Sequence, residues 1–195
     1  MGWADAAAVV PLAEQAALAA VKIDGEDSWA HHALGGVHLL MRRFDDALAE
    51  LELALNLHPS FSHAQTYYAS TLAFCGRWRE SRDAAHRALR LSPRDPVALN
   101  FGAAALAEFV GGNYEEAIRM AQSAIRLRGN YSSAYRVLVA AAGISGQEEL
   151  AASALQELRR TQPNISRAWI LANVPFRIDA DRIHYLEGFR RAGLE

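Results

Sequence analysis

The sequence predicts an all-α fold, a solenoid of helical hairpins stacked in chain order. Three observations carry that reading. A register recurs about every 34 residues, each period holds two amphipathic helical segments, and small residues return at fixed places within the period. The chain has 195 residues, 51% of them hydrophobic and 22% charged, which is the composition of a globular protein. Alanine makes up 39 of the residues, and this excess favours close-packed helices because alanine has the highest helix propensity and lets backbones approach.

The register is read from breakers and from small residues. Pro59, Pro93, Gly129 and Pro163 follow one another at spacings of 34, 36 and 34. Ala13, Ala47, Ser81, Ala117 and Ala151 are 34, 34, 36 and 34 apart, and Ala20, Ala54, Ala88, Ala124 and Leu158 keep the same spacing. Phe44, Trp78 and Tyr114 each stand three residues before the small residue, a rule that Glu148 breaks. Leu34, Tyr68, Gly102 and Leu138 share the phase, so the two extra residues of the third unit fall in a turn at Val110-Gly111-Gly112.

Within the first full unit, Trp29 to Met41 reads as one helix, Arg42-Arg43 as the turn and Phe44 to Leu57 as the second helix. Ala47, Leu48, Leu51, Ala54 and Leu55 follow the spacing of one buried face. Asp45 and Asp46 suit the positive end of the helix dipole, and Pro59 stops the segment. Asn113, an N-cap residue type followed by Glu115-Glu116, starts the corresponding helix of the third unit. One such hairpin cannot bury its apolar face alone, so several stack into a superhelical ribbon with a concave side.

These residues resemble the tetratricopeptide repeat (TPR) family. Leu34-Gly35, Ala47, Leu51, Ala54 and Pro59 of the first unit match its pattern, as do Tyr68-Ala69, Ser81, Ala85, Ala88 and Pro93 of the second. Ala103, Ala117, Ala121 and Ala124 continue the match, followed by Tyr135, Leu138, Ala151, Leu155 and Pro163. The first-helix tyrosine is replaced throughout, by His38, Leu72, Leu106 and Ala142. The resemblance implies a right-handed superhelix, with repeats at 28–61, 62–95, 96–131 and 132–165. Residues 1–27 are expected to form an N-terminal segment and a half-repeat helix, and residues 166–195 a partial repeat and a C-terminal capping helix with Gly193 at its end. The closing run RIHYLEGFRRAGLE is similar to the tail of bacterial TPR arrays that follow a class III nucleotide cyclase domain or a winged-helix domain, and the Gly2-Trp3 start resembles the opening of such arrays.

Catalytic and cofactor chemistry finds no foothold. His31, His32 and His38 share one helix without an HExxH or carboxylate pattern, so imidazoles standing in for packed aromatics is the preferred reading over a metal site. Gly35-Gly36 and Gly111-Gly112 lack the Lys and Ser/Thr of a phosphate loop. Cys75 has no in-register base, and a single cysteine excludes an internal disulfide. The expectation is a non-enzyme without cofactor or metal. A net charge of −2 gives no nucleic-acid footprint, no apolar run reaches the ~20 residues of a membrane span, and no leader is apparent, which together imply a cytoplasmic protein.

In TPR proteins the concave groove is lined mainly by first helices. By phase, its lining here includes Trp29, His32, Gly36 and Leu39, then His63, Thr66, Ser70 and Ala73, then Val97, Asn100, Ala104 and Ala107, then Ser133, Arg136, Ala140 and Gly143. Trp29, His32, Leu39, His63, Thr66, Ser70, Asn100 and Arg136 are the candidate partner contacts. Asn100 and Arg136 alone suit a clamp on a peptide carboxylate, too few for that mode, so the expected occupant is an extended peptide or an amphipathic helix. The alternative is a ligand-sensing regulatory domain of a cyclase or transcriptional regulator. Leu12, Ala16, Ala19 and Ile23 lack a preceding helix to pack on, which predicts a homodimer or an upstream domain at that face.

Overall fold

A computed structural model describes residues 6–92 and 97–194, with the side chains of Ala6 to Ala8 left aside. Gly2-Trp3 and Pro93, used above for the start of the array and for the second breaker, lie outside the described residues. Among the described residues the chain is helical, without strands: α1 (Ala6–Ile23), α2 (Ser28–Leu40), α3 (Phe44–Leu57), α4 (Ser62–Phe74), α5 (Trp78–Leu91), α6 (Ala98–Val110), α7 (Tyr114–Leu127), α8 (Ser132–Ile144), α9 (Glu148–Thr161), α10 (Arg167–Asn173) and α11 (Asp179–Arg191).

Each odd helix from α3 to α9 packs against the even helix before it, and α3, α5 and α7 also meet the next even helix. The even helices α2, α4, α6 and α8 touch one another in succession and make the inner layer. Small residues set these distances. Ala47, Ser81, Ala117 and Ala151 are fully buried at equivalent places, and the Ser81 hydroxyl is satisfied by donating to the Ala69 carbonyl at 2.7 Å. A Cβ on Gly35 would meet Leu51 Cγ at 2.7 Å, so only glycine admits α3 at that approach.

The four hairpin turns share one device. Gly76, Gly112 and Gly146 take positive φ (75–78°), and the equivalent place in the first hairpin holds Arg42 at φ 60°. Arginine in that left-handed region is disfavoured by about 1–2 kcal/mol, so the first turn carries a cost that the other three avoid. The Arg42 guanidinium reaches the other end of the chain, donating to the carbonyls of Leu171 and Ala172 at 3.1 and 3.0 Å, where α10 runs out of internal donors.

Asn113 does not cap α7. Its side-chain N–H goes instead to Glu108 Oε2 at 2.8 Å, a carboxylate that α6 buries. Leu12, Leu18 and Ile23 of α1 are exposed, Ile23 at 87%. The largest departure from the sequence reading concerns the C-terminus. α11 does not simply close the end of the stack. After α10 the chain turns back, Pro175 and Phe176 pass along the inner face, and α11 packs on α8.

Candidate functional site

The concave face is built from equivalent positions on α2, α4, α6 and α8, and the positions differ in what they do. Trp29, His63, Val97 and Ser133 form one column, the most open of those read as groove: Trp29 is 58% exposed, His63 is exposed, and Val97 and Ser133 are half-buried. Leu39, Ala73, Ala107 and Gly143 form another, buried throughout.

His32, Thr66, Asn100 and Arg136 form the polar column, and here the structure corrects the sequence reading. Thr66 and Asn100 are 0% exposed and offer no surface. Their side chains meet across α4 and α6, with Thr66 Oγ1 2.8 Å from Asn100 Oδ1, while Asn100 Nδ2 donates to Ser62 Oγ at 3.1 Å and to the Ala88 carbonyl at 3.3 Å. The phase placed both on the inner layer, but the column is turned toward the neighbouring helices, where polar groups must satisfy one another.

The two ends of the polar column have different surroundings. His32 sits half-buried among Trp29, Phe61 and Tyr67, its ring centroid 5.1 Å from Phe61 and 4.9 Å from Tyr67. Trp29 lies 4.4 Å from Phe61, and His63 flanks both at 6.1–6.3 Å. Burial, and secondarily the neighbouring His63, lowers the His32 pKa to about 4, so the ring is neutral at neutral pH. Its Nδ1 is buried without a hydrogen-bond partner. The adjacent His31 behaves oppositely. Burial opposes its charge, but the Glu50 carboxylate at 2.6 Å, the Gly25 carbonyl at 3.0 Å and the nearby acids outweigh it and raise the pKa. His31 and His38 are both buried, His31 held by Glu50 and Gly25, and among the described residues no group of three metal-ligating side chains forms.

At the other end, the C-terminal segment lies on the inner layer. Backbone meets backbone where α8 and α11 cross: a Cβ on Gly143 would collide with the Gly188 carbonyl, and one on Gly188 would meet Ala140 Cα at 2.7 Å. Tyr185 and Phe189 are buried beside this crossing, Tyr185 packs on Phe109 at 5.3 Å between centroids, and Phe176 packs on Phe74 at the same distance. Arg177 ties the segment down, with its backbone N–H to the Phe74 carbonyl at 2.9 Å and its guanidinium to Asp45 at 2.7 Å. Below the segment a cleft of about 180 Å³ remains, walled by Leu39, Ser70, Phe74, Leu106 and Arg136 and bounded by Val174 and Tyr185.

Of the eight candidate contacts, Trp29, His32 and His63 therefore come together in one aromatic cluster, and Leu39, Ser70 and Arg136 in the cleft. Thr66 and Asn100 belong to neither. Phe61 and Tyr67, central to the cluster, are not among the positions that the phase put in the groove. Their signal was the density of aromatic residues and histidines between His58 and Tyr68.

Comparison with solved structures places this architecture. A thermophilic TPR protein of Thermus thermophilus superposes over 95% of this chain and 93% of its own, with a TM-score of 0.72 at 14% identity. PilW, a type IV pilus biogenesis factor, covers 94% and 89% of the two chains at a TM-score of 0.68 and 16% identity. YrrB, a TPR protein with an unusual peptide-binding site, covers 92% and 91% at a TM-score of 0.58 and 20% identity. No family model matches the sequence, and no curated protein matches it. The fold is that of a TPR solenoid. Among the described residues no helix is long and apolar enough to cross a membrane.

Proposed function

We propose that this chain is a protein-interaction module that takes a peptide or an amphipathic helix on its concave face. The observation that carries the reading is Trp29. It is a large aromatic residue, 58% exposed, held by Phe61 at the open end of the inner layer beside His32 and His63. Tryptophan anchors of this kind dominate binding energies when a partner covers them. The other end of the same face supports the reading, because it already seats a helix of the chain itself, with glycine and alanine letting the two backbones touch. YrrB, with the same architecture, has a peptide-binding site; for this chain the peptide is a proposal. The exposed apolar residues of α1 extend the proposal to a second copy of the chain packed there, a contact that light scattering reads directly as dimer or monomer mass.

A displayed peptide library panned on the full chain tests the groove. The account expects enriched sequences whose affinity drops roughly 30-fold in Trp29→Ala and falls in His63→Ala, while Arg160→Ala on α9 leaves it unchanged. Enriched peptides indifferent to Trp29 and His63, or no enrichment at all, would reject the concave face as the working surface.

A further inference from the structure

Arg136 is a buried cation, and no described residue offers it a counter-ion. It is 8% exposed, and its guanidinium donates to Gln162 Oε1 and Ser133 Oγ, both at 2.7 Å, beside the Tyr185 hydroxyl. All three partners are neutral. Among the described residues no carboxylate lies within ion-pair distance of it. Tyr185 cannot supply a charge, because burial pushes its phenol up to about 12. The Trp169 ring, 5.2 Å from the guanidinium, offsets part of the lost hydration. An ion removed from water without a paired charge still carries a desolvation penalty.

A second polar group beside it lacks a partner. Gln162 is 4% exposed, its Oε1 is engaged by Arg136, and its Nε2 is buried with no acceptor. Flipping the amide would turn an N–H toward the guanidinium, so the orientation is set by Arg136. Among the described residues, a cation without an anion and an amide donor without an acceptor thus adjoin one another. Arg136 faces the cleft of about 180 Å³, whose other walls are largely apolar: Leu39, Phe74, Leu106 and Val174. That space suits a small organic molecule and is too small for a folded peptide segment.

We propose that this cleft binds a small apolar monocarboxylate, its carboxylate paired with Arg136 and its hydrocarbon part against Leu39, Phe74, Leu106 and Val174. A planar guanidinium matches a carboxylate in geometry, and a water-poor apolar wall strengthens the pair. The site lies under the C-terminal segment; it shares the Tyr67 ring with the Trp29 cluster proposed for a peptide but neither Trp29 nor His63, so loss of peptide binding in Trp29→Ala leaves the carboxylate test standing.

Calorimetry and thermal shift on the full chain with hexanoate and benzoate test it, with hexanamide, benzamide and sulfate as controls. The account expects saturable binding of a carboxylate, none of its amide, and none of sulfate. In Arg136→Met affinity falls roughly 100-fold while the unliganded variant melts no lower than wild type, because the methionine removes an uncompensated charge from the interior. Ser70→Leu, which fills the cleft and leaves Arg136 in place, also abolishes binding and decides the matter should Arg136→Met not fold. Equal binding of acid and amide, binding of sulfate as strong as that of hexanoate, carboxylate affinity unchanged in Ser70→Leu, or no carboxylate binding by wild type would each overturn the proposal.

Discussion

The two ends of the inner face are made of equivalent helices and have opposite fates. Around α2 and α4 the face is rimmed by exposed Trp29 and His63, with a neutral imidazole beneath. Toward the C-terminal ends of the inner helices it is covered: Phe176 lies on Phe74 of α4, Tyr185 on Phe109 of α6, and α11 on α8, where the side chains have shrunk to Ala140 and Gly143 so that another backbone can lie on them. A repeat fixes the path of the main chain. It leaves each unit's inner side chains free to build a packed interior or a contact surface, and this chain does both within four hairpins.

The sharpest way to break the comparison is a methyl group at each end. Gly143→Ala places a Cβ against the Gly188 carbonyl, and overpacking of that kind costs about 3 kcal/mol, read as a lower urea midpoint. At the open end, pH separates His32 from the rest. With a pKa of about 4, folded His32 stays neutral while the unfolded ring takes up a proton below about 6.5. Its contribution is intact above that value and is lost as pH falls toward 4, a loss on the order of 2 kcal/mol allowing for partial exposure. His32→Phe therefore flattens the acid limb of stability, measured by urea unfolding at neutral and mildly acidic pH. His31, its pKa raised, has the opposite sign: its contribution is present below the unfolded value and fades as pH rises through the folded one.

Smaller effects sharpen the same contrast. Gly36→Ala at the open end meets the Tyr67 ring at 3.3 Å, so the half-buried ring must yield by a few tenths of an ångström; helix propensity of about 1 kcal/mol works against that cost, and the net change stays within about 1 kcal/mol of zero, far from that of Gly143→Ala. Arg42→Gly relieves a positive φ but removes the bonds to Leu171 and Ala172. The net change stays within about 0.5 kcal/mol, while amide exchange speeds up in α10.

The hairpins were legible because each constraint repeats. Alanine at 47, 117 and 151 and glycine at 76, 112 and 146 report the same close approach and the same turn in successive units. The return of the C-terminus was not legible. Tyr185 and Phe189, four residues apart, announce a helix with a buried side, but apolar spacing does not say which surface receives it. Glycine inside two helices, at Gly143 and Gly188, was the available sign, since a mid-helix glycine costs stability unless another backbone comes near. Thr66 and Asn100 misled for a related reason: periodicity places a residue on a layer, and a modest rotation of the helix decides whether it faces the groove or the next helix.

The placement of α11 on the inner face is tested most directly by nuclear Overhauser contacts in the labelled full chain. Cross-peaks between the Gly143 and Gly188 α-protons, and between the Phe74 and Phe176 rings, are the predicted result. Their absence, with α11 showing contacts to α9 and α10 alone, would mean that the helix extends the stack and that the whole concave face is open.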